Sequence, residues 1–165
     1  MIFKTNEIYA EDLPVSFGAL SKRQLADTLR DGRAAAFLVY EHLLARFSNL
    51  RRATDEGRPA DCVINDKGIV LQVRMVTSNG TALNPAKQNG IKRKFDKLEY
   101  QEARQWVSGY ILVDITHAPR IEYAVVPKDS VPESGSGKFS YEDATSLISL
   151  ARPTLTSPAT LNSKS

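Results

Sequence analysis

The hydrophobic positions of this chain fall into alternating helical and extended rhythms. In "LSKRQLADTLRDG", Leu25 and Leu29 recur at helical spacing. Ser21 stands as N-cap with Gln24 three residues on, and Gly32 lies near the end, so a short helix is predicted. A longer helix is predicted over about Ala34 to Arg52, with Phe37, Tyr40, Leu44 and Phe47 along one stripe, broken by "DEGRP" at 55–59. "ADCVINDKGIVLQVRMVT" holds two β-rich runs around Asn65-Asp66-Lys67-Gly68, the turn chemistry of a β-hairpin. "SNGTALNPAKQNG" reads as a long irregular loop and "KRKFDKLEYQEARQW" as a helix. The continuously apolar "GYILVDI" predicts a central strand. "RIEYAVVP" predicts another, closed by Pro127. "SYEDATSLISL" predicts a last helix capped by Ser140, with Asp143 at its third position. The order helix, helix, hairpin, loop, helix, strand, strand, helix makes an α/β fold, a mixed sheet flanked by helices. Residues 1–151 are expected to form one domain, and 152–165, which carry no core pattern, a disordered tail.

One strand breaks the rule that core strands are apolar. In "IVLQVRMV" (69–76), side chains alternate between faces, so Gln72 and Arg74 share a face with Val70 and Val76. The opposite face is Ile69, Leu71, Val73 and Met75, all apolar. With the hairpin turn near residues 66 and 67, Asp61 is expected opposite Gln72 to within a residue. A carboxylate, an amide and a guanidinium then converge on one patch of sheet. In a plainer reading, Arg74 and Asp61 form a cross-strand ion pair on a half-exposed sheet.

Composition narrows the chemistry. At 165 residues, 42% hydrophobic and 25% charged, the chain has the make-up of an ordinary globule. No apolar run is long enough to span a membrane, and the N-terminus lacks the layout of a secretion signal, so a cytoplasmic location is expected. Cys62 is the only cysteine, which excludes internal disulfides and a cysteine-built zinc site and leaves it a small buried group. His42 and His117 lie too far apart in sequence to suggest a metal or nucleophile centre. "GSGKFS" lacks phosphate-loop spacing and reads as a flexible turn. Asp114 is expected to cap or pair structurally, and Tyr100 and Trp106 to be core or interface aromatics. The net charge of +3 and pI near 9.0 admit nucleic acid. Lys87, Lys92, Arg93 and Lys94 cluster in the loop after the polar strand, where they are candidate DNA-phosphate contacts. Arg46, Arg51, Arg52 and Arg58 form a second basic group.

Asp61 and the Gln72 carbonyl oxygen are hard ligands suited to Mg²⁺, for which Mn²⁺ can substitute, with water and phosphate completing the shell. Arg74 is then placed to stabilise phosphate charge, and Glu41 on the preceding helix is a further candidate carboxylate.

At these residues the chain resembles the PD-(D/E)XK nucleases, the family of restriction endonucleases, junction resolvases and repair nucleases. There an Asp opens one strand and a Glu-x-Lys lies on the next; a helix before them often bears a Glu, and a helix and strand follow. Asp61 matches the Asp, Gln72 the acidic position, Arg74 the Lys and Glu41 the helical Glu, over about residues 34 to 127. The resemblance implies a restriction-endonuclease-like fold and a Mg²⁺-dependent endodeoxyribonuclease acting on double-stranded DNA as a homodimer. Its catalytic residues would be Asp61, Gln72, Arg74 and Glu41, with the metal on Asp61 and Gln72. The departures, Gln for Glu and Arg for Lys, remove a ligand charge and a cation able to lose its proton. They open the alternative of a decayed member that binds nucleic acid or regulates.

Overall fold

The computed structural model describes residues 1–14, 21–30, 32–84 and 94–151. Its larger sheet has six strands: β1 (Ile8–Asp12), β2 (Leu50–Arg52), β3 (Cys62–Asn65), β4 (Val70–Val76), and β6 (Gly109–Asp114) with β7 (Arg120–Pro127). Across the sheet they run β1-β7-β6-β4-β3-β2. β4 and β6 are parallel and every other neighbouring pair is antiparallel. A parallel pair needs a long crossover, and here it carries α3 (Lys97–Gln105). The remaining helices are α1 (Lys22–Arg30), α2 (Gly32–Arg46) and α4 (Tyr141–Leu150).

Strand alternation sorts the apolar side chains into two cores, one on each face of the sheet. Val63, Leu71, Val73, Ile111 and Val113 pack with Ala35, Val39 and Leu43 of α2. Cys62, Ile64, Val76, Tyr110 and Leu112 pack with Tyr100 of α3 and Ala144, Leu147 and Ile148 of α4. The mixed sheet flanked by helices therefore stands as expected, with β6 central between β7 and β4. The Ser21–Gln24 capping box forms in both directions, at 3.2 and 2.9 Å. The Ser140 hydroxyl accepts from the Asp143 N–H at 3.1 Å. In the hairpin, the buried Asn65 side chain accepts from the N–H groups of Lys67 and Ile69 at 3.0 and 2.9 Å, while Gly68 turns through φ 76°.

Several expectations are corrected. The second helix stops at Arg46, and residues 50–52 form edge strand β2 against β3. α2 is apolar almost all round, so spacing alone could not choose its inner stripe. Ala35, Val39, Tyr40 and Leu43 are its buried residues, and Phe47 is buried just beyond its end, so Tyr40 and Phe47 stand as expected while Phe37 is exposed. β1 escaped the pattern because "IYAED" carries two acids: Asp12 is exposed, while Glu11 faces inward and is held by Tyr123, His42 and Arg46. The expected loop 78–90 contains β5 (Thr81–Ala82), which pairs with β8 (Lys138–Phe139), so "GSGKFS" is partly strand. Gly80 permits that pairing: a Cβ there would lie 1.9 Å from the Phe139 carbonyl oxygen. The tail 152–165 lies outside the described residues.

Candidate functional site

The hairpin brings the three singled-out groups together. Register pairs Cys62 with Gln72, one residue off the expected Asp61. Strict alternation would then send Asp61 to the face away from Gln72. Asp61 escapes this because it precedes the strand: it sits in a turn, with its carbonyl accepting the Val73 N–H at 2.8 Å. Its carboxylate thereby reaches both side chains. Gln72 Nε2 donates to Asp61 Oδ2 at 2.9 Å, and Arg74 Nη2 lies 3.4 Å from the same oxygen.

Arg74 is held more deeply than its partner, with its side chain 14% exposed against 37% for Asp61. Nη2 also donates to the Asn84 carbonyl at 3.2 Å, while Nε is buried with no acceptor among the described residues. A buried unsatisfied donor costs about 1–3 kcal/mol, and an anionic oxygen arriving at Arg74 would relieve it.

The three residues line a cleft of about 560 Å³ whose walls include Pro59, Glu99, Glu102 and Trp106. Asp61 and Arg74 also line a second, adjoining cleft with Arg33, Asn79 and Lys138, so they stand where two depressions meet. Sequence reasoning missed Glu99, Glu102 and Trp106 as site residues. Their spacing of three, four and seven puts them on one side of a helix, but nothing local says that this side faces the sheet. Trp106 is 59% exposed, which removes the core half of its expected core-or-interface role, and Arg58 lies over its ring at 5.0 Å from the centroid. Tyr100 is buried, as expected.

The other candidates fall elsewhere. Both Glu41 oxygens bond Arg52, at 2.8 and 2.7 Å, and this pairing holds Glu41 below its ordinary pKa. Glu41 does not line the cleft. The second basic group is largely spent in ion pairs: Arg46 with Glu11, Arg51 with Glu56 and Arg52 with Glu41. Lys87, Lys92 and Arg93 lie outside the described residues, and Lys94 is exposed just before α3. Asp114 caps locally, accepting from the Thr116 N–H and hydroxyl at 2.9 and 2.6 Å and from the Tyr141 hydroxyl at 3.1 Å. Cys62 is buried, and burial foremost, then Asp61, pushes its thiol up to about 12.

The donor set is compatible with Mg²⁺ but sparse. No group of three His, Cys, Asp or Glu side chains suited to a metal occurs among the described residues. Asp61 offers a carboxylate, and Gln72 can present its carbonyl oxygen once its amide turns away from Asp61. Mg²⁺ commonly takes one or two protein carboxylates and completes its shell with waters and substrate phosphate, so two protein ligands suffice with water filling the positions that substrate would take. No helix among the described residues is long and apolar enough to cross a membrane. Compared with known proteins, the chain matches no family model, no curated protein and no solved structure.

Proposed function

We propose that the chain is a Mg²⁺-dependent endodeoxyribonuclease of restriction-endonuclease type. The observation that carries the reading is the meeting of Asp61, in the turn before the hairpin's first strand, with Gln72 and Arg74 of its second, in one cleft. A helix precedes that hairpin, and a helix and strand follow it, the element order of the PD-(D/E)XK resemblance.

Asp61 and the Gln72 carbonyl oxygen would hold the ion, which when bound neutralises phosphate charge and makes water more acidic. Released from Asp61, Arg74 keeps its proton and binds the charge that develops on the phosphate oxygens. It cannot take a proton from the attacking water, whose proton would pass to solvent water in the open cleft. Glu41 is not needed in this scheme. Cutting both strands of a duplex calls for two such centres, hence a homodimer.

A second reading, a non-catalytic nucleic-acid-binding or regulatory protein on the same scaffold, is favoured by one observation. Gln72 and Arg74 both address Asp61 Oδ2, which satisfies the carboxylate without a metal. Incubation with supercoiled plasmid and Mg²⁺ or Mn²⁺ separates the two. Cleavage abolished by Asp61→Ala supports the nuclease; salt-sensitive binding with no cleavage supports the second reading.

A further inference from the structure

We infer that the cleft takes an unpaired nucleotide, its base stacked on Trp106, so that the preferred substrate is DNA with a single-stranded or splayed segment beside the scissile phosphate. The inference rests on the nuclease reading of the same cleft and specifies what that cleft accepts.

Trp106 follows the end of α3, is 59% exposed, and shares the cleft wall with Asp61, Gln72 and Arg74. A large aromatic left open beside a phosphate-binding guanidinium is the pairing that single-strand binders use, since every base offers a π-face. Arg58 over the ring, 5.0 Å from the centroid, steadies it and adds a cation next to the strand's path. Pro59, Ala103 and Val107 give the cleft an apolar lining suited to a flat ring. Glu99 and Glu102 on the same wall are hydrogen-bond acceptors only. They repel phosphate and favour a base edge bearing amino or imino donors, so the base, not the backbone, occupies this end. The backbone runs toward Arg74 and the adjoining cleft that holds Lys138.

Trp106 is the only tryptophan, so its emission reports on this site alone. The wild-type protein, with EDTA present to prevent cleavage, is titrated with a 12-nucleotide single strand and with a blunt 12-base-pair duplex. Emission is followed beside the anisotropy of labelled DNA. The single strand should quench Trp106 and bind several-fold more tightly than the duplex. Trp106→Ala should weaken single-strand binding about tenfold, and Trp106→Phe should keep most of it. Binding seen by anisotropy without quenching, or unaffected by Trp106→Ala, overturns the stacking site and leaves the nuclease reading in place. Equal affinity for strand and duplex also overturns the proposed preference. Failure to bind either DNA overturns the inference, and plasmid cleavage with its Asp61→Ala control judges the nuclease reading separately.

Discussion

Replacing Asp61 by Asn separates an ion pair from a metal site, because it removes the charge while keeping an oxygen for Gln72 Nε2 to donate to. The structural loss is the attraction between Asp61 and Arg74 across 3.4 Å. With one partner partly exposed, that pair contributes about 1 kcal/mol after solvation is counted. For a chain of this length the melting temperature should fall by roughly 3 °C. The metal adds a second, separable quantity. A cation at ten times its dissociation constant stabilises the folded state by about 1.4 kcal/mol, or roughly 4 °C. Thermal unfolding with and without saturating Mn²⁺ should therefore show the gap between wild type and Asp61→Asn widening from roughly 3 to roughly 7 °C. Plasmid cleavage should vanish in the variant. A gap that stays constant on adding Mn²⁺, or a variant that cleaves as wild type does, refutes the metal role of Asp61.

Three further outcomes are expected. Asn65→Ala leaves the N–H groups of Lys67 and Ile69 without their side-chain acceptor; it should cost about 2 kcal/mol in denaturant unfolding and loosen the register that sets Gln72 against Asp61. Cys62, buried and with its thiol pushed up to about 12, should resist a thiol reagent at pH 8 in the native protein and react at the rate of unfolding; fast native labelling would contradict its burial. Glu11 is raised by burial, but the Tyr123 hydroxyl, His42 and Arg46 outweigh this and hold it below its ordinary value of 4.5. Because the folded value is the lower one, its contribution is present above about pH 4.5 and is lost as pH falls through the folded value. Melting curves against pH should show that acid limb in wild type and a shallower one in Glu11→Gln.

How legible each element was depends on how much of its signal was local. The hairpin announced itself because Asn65-Asp66-Lys67-Gly68 permits little else, and α4 because Ser140 and Asp143 form a cap within one turn. The edge strands did not. β1 and β2 are charged edge strands whose extended form comes from their partners, β1 from distant β7 and β2 from β3. β5 and β8 are two residues each and exist only through one another. In the site, Asp61, Gln72 and Arg74 were legible because the turn fixes their distance along the chain. The wall of α3 was not, because nothing local says which side of a helix a crossover will lay against the sheet.

That crossover explains why the polar pair sits where it does. β4 is antiparallel to β3 on one side and parallel to β6 on the other, and the parallel join obliges the chain to leave the sheet and return through α3. Gln72 and Arg74 point to the face that α3 covers, while Val76 on the same face is buried in the core beyond them. The two polar side chains thus form an island between apolar neighbours, beside a helix that contributes two acids and whose C-cap contributes an aromatic. A half-exposed sheet would leave both side chains in water, yet Arg74 is largely buried and keeps Nε without an acceptor among the described residues. Stability alone would favour an apolar residue at such a position, since a partly unsatisfied guanidinium is costly to bury. A buried cation with an unspent donor, facing a cleft beside a displaceable carboxylate, makes physical sense as a receptor for an anion. A phosphate of the substrate is the anion that the proposed chemistry supplies.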